Sequence, residues 1–309
     1  MTGRAVGLRT LAVLLALSSF PACTNEPAKQ NVGLPADNDG ATCNVAILGD
    51  ATRNDLLATI ATAHGVTVKI SGPRKVADVG SLRFLSTEQD SIATQAALAW
   101  DADLILLAVD ATQGPLPVHR EHVLVSRQMG VPTVVIGFTK SRAIDDPELL
   151  ELEELEMREL LNKYAPPGDT ATCVFDHQAT KTPAGSKASK GPIEIVTALG
   201  AIAKKRNAPE GGREEKRVKA SIYSLVPQEA FSRDVALAVK TGPTTALVGG
   251  ESVAAEVTAR REIAPGENGE IDIVFERPIR VGDGQRFLLL NRQHVSAAGF
   301  FLSKVAGSR

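Results

Sequence analysis

The hydrophobic period of this chain changes once, near Val218, and that change constrains the fold more than any other feature. Before it, from Cys43 to Arg206, short apolar runs alternate with stretches of helical pattern. The runs are "NVAILGD", "VTVKI", "SLRFL", "DLILLAVD", "PTVVIGF" and "TCVFDH", with helical stretches such as "DSIATQAALAW" and "VHREHVLVSRQMG" among them. Alternation of this kind predicts a mostly parallel sheet with helices on both faces. After it, apolar residues recur at every second position in "VKASIYSLV", "DVALAVKT", "ESVAAEVTAR", "GEIDIVFERPI", "QRFLLLNRQ" and "SAAGFFLSKV". These six short strands, separated by turns such as "APGENG" and "RVGDGQ", predict a β-barrel or sandwich. "PIEIVTALGAIAKKRN" reads as the closing helix of the first domain, and "NAPEGGREEKR" as a linker. The expected domains are 43–206 and 218–306, joined by 207–217, and a chain of 309 residues is long enough for both.

The first residues follow a different rule. Arg4 and Arg9 occur without an acid, and "LAVLLALSSF" is an apolar run too short to span a bilayer comfortably. "FPAC" ends it, and polar residues follow. That pattern predicts a bacterial export signal over 1–23. Cys23 sits directly after the apolar run with small Ala22 before it, which resembles a lipoprotein processing site, although Phe20 and Pro21 depart from the usual residues. The competing reading is ordinary cleavage near "ALS". Acylation of Cys23 would add several chains, and two or more anchor a protein stably. The expected location is therefore the exported side of a bacterial membrane, with 24–42 as a flexible tether rich in Pro, Asn, Asp and Gly. Cys43 and Cys173 start strands that are not expected to be neighbours, so two free thiols are expected.

Composition removes some classes of partner. The net charge is −2 and aromatics are 4% of the chain, so neither a basic footprint nor a base-stacking surface is present. The clearest helix is "DDPELLELEELEMRELLNKY". Asp145 or Asp146 can cap it, Pro147 suits its first position, and Lys163 complements its last turn. Leu150, Met157, Leu161 and Tyr164 form its apolar stripe, joined by Leu149, Leu152 and Leu160.

Three long stretches resemble one family. "AVDATQGPLPVHREHVLVSRQMGVPTVVI" is similar to the middle of the GTPase domain of bacterial elongation factor Tu. "DDPELLELEELEMRELLNKYAPPGD" resembles the segment after that family's guanine-reading motif. "IAPGENGEIDIVFERPIRVGDGQRFLLLNR" resembles its C-terminal barrel. The resemblance covers roughly Cys43 to Val305. It implies an α/β P-loop-GTPase-like doubly wound sheet followed by a C-terminal all-β barrel of the elongation factor Tu type. The family's middle barrel is missing, because the chain passes from the closing helix through the linker into the last barrel. That barrel helps form the pocket for the aminoacyl end of tRNA, so no tRNA or other nucleic acid is expected as a partner.

The resemblance also names the positions where nucleotide chemistry should lie. The phosphate loop should read Gly, four residues, then Gly-Lys-Thr, with backbone amides around phosphate, a lysine for charge and a hydroxyl for magnesium. Here Gly49 is followed at the key positions by Asn54, Asp55 and Leu56. Asp55 in place of lysine turns attraction into repulsion worth about 4 kcal/mol per unit-charge pair at ~4 Å and an effective dielectric of ~20. Micromolar binding is itself only about 8 kcal/mol. The next motif, Asp-x-x-Gly-His, is matched by Phe84, Thr87 and Glu88, which supply neither a magnesium ligand nor a γ-phosphate sensor. The guanine-reading Asn-Lys-x-Asp becomes Thr139, Lys140, Ser141 and Arg142, so a donor faces the donors of the base and only Lys140 is kept. The last motif, Ser-Ala-Leu, appears as "HQA" from His177 to Ala179. The switch segment shrinks to "AHGVTVKISGPRKVADVGS".

Four motifs lost together imply that nucleotide binding is not retained, and an exported protein would not meet cytoplasmic GTP. The expected function is a non-catalytic, lipid-anchored binding or structural module with a protein partner, no cofactor, no metal and no catalytic residue. Surface-located members of the family are reported to bind host or matrix proteins, which makes adhesion-like binding the expectation from resemblance. One alternative is a GTPase-like translation protein that still holds GTP and magnesium. Another is a new enzyme in the old cleft, using Asp50, Asp55, Glu88 or His177, where open α/β sheets bind ligands. His119 and His122, three apart with Glu121 between, suit a metal pair or ordinary helix packing, and the second reading is preferred. Asp101 and Asp103, like Asp145 and Asp146, read as caps and turns. Lys204, Lys205 and Arg206 read as cations at a helix end.

Overall fold

The computed structural model describes residues 43–164, 167–176, 189–203, 212–227, 238–292 and 294–302. The predicted signal, the tether and the acylation site Cys23 lie outside these residues, as do His177 and Lys204–Arg206. The chain forms two compact units, a sheet unit and a barrel unit.

The sheet unit runs β1 (Cys43–Gly49), α1 (Arg53–Ala63), β2 (Lys69–Ser71), β3 (Arg74–Val79), β4 (Leu82–Thr87), α2 (Ile92–Asp101) and β5 (Leu104–Asp110). It continues through α3 (Pro117–Gln128), β6 (Val134–Thr139), α4 (Pro147–Tyr164), β7 (Cys173–Phe175), β8 (Ser189–Lys190) and α5 (Pro192–Ile202). The strand order is β2-β3-β4-β1-β5-β6-β7-β8. From β4 to β8 neighbours are parallel, while β2, β3 and β4 pair antiparallel. The alternation of strands and helices thus produces a mixed sheet with helices on both faces. On one face α1 and α5 bury Leu56, Leu57, Ile60, Ile195 and Leu199 against Val45, Ile47, Leu104 and Leu106. The other face is covered by α2, α3 and α4, which pack side by side. Every residue of β5 is buried, as expected of a central parallel strand covered on both faces.

Some expectations about this unit are corrected and others are met. "VTVKI" contributes only the short exposed strand β2, which turns at Gly72-Pro73 into β3, a strand hidden in the segment read as a shrunken switch. Antiparallel hairpins need no crossover, so this edge is built from very little chain. On α4, Leu150, Met157, Leu161 and Tyr164 are buried, but Leu149 and Leu152 are 42% and 48% exposed, and Leu155 is 54% exposed. The buried set lies along one side of the helix, and the extra leucines lie beyond its edge. Asp146 is the residue that caps α4, its Oδ1 accepting the Glu148 N–H at 2.9 Å. Cys43 and Cys173 are buried free thiols on β1 and β7, which β5 and β6 separate.

The barrel unit contains β9 (Arg213–Ser224), β10 (Gly242–Val248), β11 (Glu251–Ala259), β12 (Asn268–Val281), β13 (Arg286–Asn291) and β14 (His294–Phe301). They close in the order β10-β11-β12-β9-β14-β13. Period two is visible on β11, where Val253, Ala255 and Val257 point inward and Ala254, Glu256 and Thr258 outward. Phe301 stacks on Phe287 at 4.7 Å and meets Phe275 edge-on at 6.2 Å within the barrel. Two boundaries differ from expectation. β9 begins at Arg213, inside the predicted linker. Within "DVALAVKT" the described residues give no strand, only a bridge from Val239 to Ile263, and the strand that closes the barrel is "GPTTALV". Its Ala246, Leu247 and Val248 pair with Leu289, Leu288 and Phe287, a partner that alternation alone does not name.

Candidate functional site

The candidate site lies at the carboxyl ends of β1, β5 and β6 and the head of α1, where open α/β sheets bind ligands. β1 ends at Gly49 with φ +116°, and a Cβ there would fall 2.0 Å from the Ala108 carbonyl oxygen of β5. Only glycine fits, so strand packing by itself accounts for Gly49.

The turn after Gly49 is short. Thr52 is the N-cap and α1 begins at Arg53, so Asn54, Asp55 and Leu56 lie inside the helix. Asp55 is exposed in the first turn, where an acid suits the helix dipole. Leu56 is buried in the core. Asn54 is tied to β4, donating to the Thr87 carbonyl at 3.2 Å and accepting from Ser86 Oγ at 3.0 Å.

The centre of the site is filled by Asp50. Its Oδ1 accepts the Thr52 N–H at 2.8 Å and the Thr52 hydroxyl at 2.6 Å. Its Oδ2 accepts the Asp110 N–H at 2.7 Å and faces His119 Nε2 at 3.4 Å. Burial alone would raise the carboxyl pKa. The bonds from His119, Thr52 and Asp110 outweigh it and hold the group at about 2. Beside it Arg53, 3% exposed, spends its guanidinium inside the fold. Nε donates to the Thr87 carbonyl at 2.9 Å, Nη1 to the Asp50 carbonyl at 3.0 Å, and Nη2 pairs with Asp90.

The same construction recurs one strand away. Asp110 Oδ1 accepts the Thr112 N–H at 3.0 Å and the Thr112 hydroxyl at 2.6 Å, as Asp50 does with Thr52. Both turns read Asp-Ala-Thr, at 50–52 and 110–112. Such a side chain bonded to the backbone two residues on is an Asx-turn. Asp110 Oδ2 takes the Lys140 ammonium at 2.6 Å and the Gln113 amide at 2.9 Å. Against the effect of burial, Lys140, Thr112 and Gln113 hold the Asp110 carboxyl below its ordinary value, and Asp110 raises Lys140 in return.

The residues at 139–141 are also bonded within the fold. Thr139 Oγ1 donates to Thr52 Oγ1 at 2.7 Å. Lys140 adopts φ 52°, and its N–H and the Ser141 hydroxyl bond the two oxygens of Asp176 at 2.8 and 2.7 Å. Arg142 is exposed on the following single turn of 3₁₀ helix. On β4, Phe84 is buried in the core and Thr87 Oγ1 donates to the Pro73 carbonyl at 2.8 Å. Glu88 is exposed and pairs with Lys75, which lowers its pKa.

The two histidines serve the backbone. Nδ1 of His119 accepts the Leu116 N–H at 2.8 Å, which puts its proton on Nε2, toward the Ala108 carbonyl at 3.0 Å and Asp50. Nδ1 of His122 accepts the Gly49 N–H at 2.9 Å. Burial, then the neighbouring His119 and Arg53, push the His122 pKa down to about 3, so the ring is neutral. Among the described residues no group of three or more His, Cys, Asp or Glu is arranged to hold a metal ion.

Asp50 was considered as part of an enzyme cleft, and the structure instead bonds it to Thr52, Asp110 and His119, while His119 and His122 follow the preferred reading of helix residues packed against the strand ends. Thr52, Arg53, Asp110 and Asp176 were not singled out. The repeated Asp-Ala-Thr after two apolar strands was the available signal for two of them. A search of known protein families finds none that matches the chain.

Proposed function

We propose that this chain is a non-catalytic relative of elongation factor Tu, with a P-loop-GTPase-like α/β domain and an elongation-factor-type barrel, that acts as a binding or structural module. The reading includes export and a lipid anchor at Cys23, a residue outside the described ones. The observation that carries it is the Asp50 carboxylate on the donors at the head of α1. An incoming polyphosphate would have to displace that anion and would then meet Asp55, Asp110 being already paired with Lys140. With an effective dielectric of ~20, each carboxylate at ~4 Å costs about 4 kcal/mol. Thr139, Ser141 and Lys140 are engaged with Thr52, Asp176 and Asp110, which leaves exposed Arg142, a donor and not an acceptor, as the remaining residue of that stretch.

A protein partner is the companion proposal. Leu149, Leu152 and Leu155 form an exposed apolar row on α4, flanked by exposed Glu148, Glu151 and Glu156. Apolar rows with a polar rim are the kind of surface that proteins cover. Of the residues named for the enzyme alternative, Asp50 is saturated with hydrogen bonds and Asp55 and Glu88 face solvent, while His177 lies outside the described residues.

The test is titration calorimetry of the purified protein with GTP and with GDP in the presence of magnesium. Absence of binding at millimolar nucleotide is the expected result. Micromolar binding would restore the GTPase reading.

A further inference from the structure

The donors that surround Asp50 come from three separate segments. Thr52 at the head of α1 supplies an N–H and a hydroxyl, the last residue of β5 supplies the Asp110 N–H, and α3 supplies the His119 ring. An ordinary helix cap is bonded within its own helix end. Here the residue is not the N-cap, which is Thr52, and one of its two oxygens is bonded entirely outside α1. The carboxylate is 8% exposed, and His119 is fully buried.

We propose that Asp50 is a tethered ligand: its carboxylate permanently occupies an anion receptor built by α1, the end of β5 and α3, and thereby closes the cleft to free anions. The proposal rests on the reading of the cleft as closed to nucleotide and says what closes it. Two oxygens, each facing two donors, define the chemistry that the emptied receptor would take. That chemistry is a small planar monocarboxylate. Removing the carboxylate by Asp50→Ala leaves room for formate, whereas a phosphate brings more bulk and more charge beside Asp110.

The experiment is thermal unfolding of wild type, Asp50→Ala and Asp50→Asn in potassium formate against potassium chloride at equal ionic strength. Asp50→Ala should unfold at a lower temperature, and formate should restore it saturably, by about 3 °C per tenfold rise once above its dissociation constant. Wild type and Asp50→Asn, whose receptors are filled, should unfold alike in the two salts. Equal behaviour of Asp50→Ala in formate and chloride would overturn the proposal, and so would an equal formate response in wild type. If Asp50→Ala precipitates, refolding yield in the two salts replaces the melting curve, and equal yields overturn it. Failed rescue without nucleotide binding by wild type removes only this proposal. Nucleotide binding by wild type removes the reading beneath it.

Discussion

The Asp50 carboxylate accepts the Asp110 N–H at 2.7 Å, so the turn that ends β1 is tied to the last residue of β5 by a buried charge. The consequence for pH follows from the depressed pKa. Asp50 titrates at about 2 in the fold against 3.8 ordinarily, so its contribution is fully present above about pH 4 and is lost as pH falls toward 2. The contribution is on the order of 2 kcal/mol. Asp50→Asn should flatten the acid limb of the stability curve between those values. Urea unfolding at a series of pH values checks it, and an unchanged slope would show that Asp50 is not held as described.

Installing phosphate-loop residues should not create nucleotide binding. Asn54→Gly, Asp55→Lys and Leu56→Thr together rebuild the motif residues, yet these positions lie inside α1, which begins at Arg53. The triple variant should show no micromolar GTP binding by calorimetry. It should also lose about 2–3 kcal/mol of stability, because Leu56 is 1% exposed in the core.

Gly49→Ala should be among the most damaging single changes. The new Cβ would lie 2.0 Å from the Ala108 oxygen at a φ of +116°. Strain and displacement of β5 together should exceed about 3 kcal/mol. Soluble yield and chemical unfolding report this directly.

On α4 the two sets of apolar residues should separate cleanly. Met157→Ala, at a fully buried position, should cost about 2–5 kcal/mol. Leu152→Ala, at 48% exposure, should stay within about 0.5 kcal/mol. Paired unfolding curves measure both, and a large Leu152 effect would mean that this leucine is packed rather than available to a partner.

The Cys173 thiol should be inert in the folded protein. Burial, then Glu154, push its pKa up to about 12, and the thiolate is the reactive form. Iodoacetamide should label it only after denaturation, as peptide mass mapping would show.

Legibility followed local physics. α4 was readable because Asp146, Pro147, the early acids and Lys163 all obey the rules for a helix and its ends. β11 was readable because one face is buried and the other is wet. β3 was not, because "RKVADV" carries only two inward apolar residues, Ala77 and Val79, and its stability comes from pairing with β4. "DVALAVKT" alternates better than "GPTTALV", yet the second is the one that pairs with β13, and pairing is a long-range fact. At the site, the lack of the lysine, magnesium ligand and guanine acceptor expected from the resemblance was visible in the residue types. What replaced them was not, because the donors to Asp50 come from Thr52, Asp110 and His119, up to 69 residues away in sequence. Arg53 lies between the positions compared with the phosphate-loop motif, where that comparison does not look.

The most direct test of the self-filled cleft is a carbon-detected NMR titration of the Asp50 carboxyl, with and without millimolar magnesium–GDP. The expected result is a carboxyl that titrates near 2 and does not respond to nucleotide. A carboxyl that titrates near 4, or that shifts when GDP is added, would contradict the account.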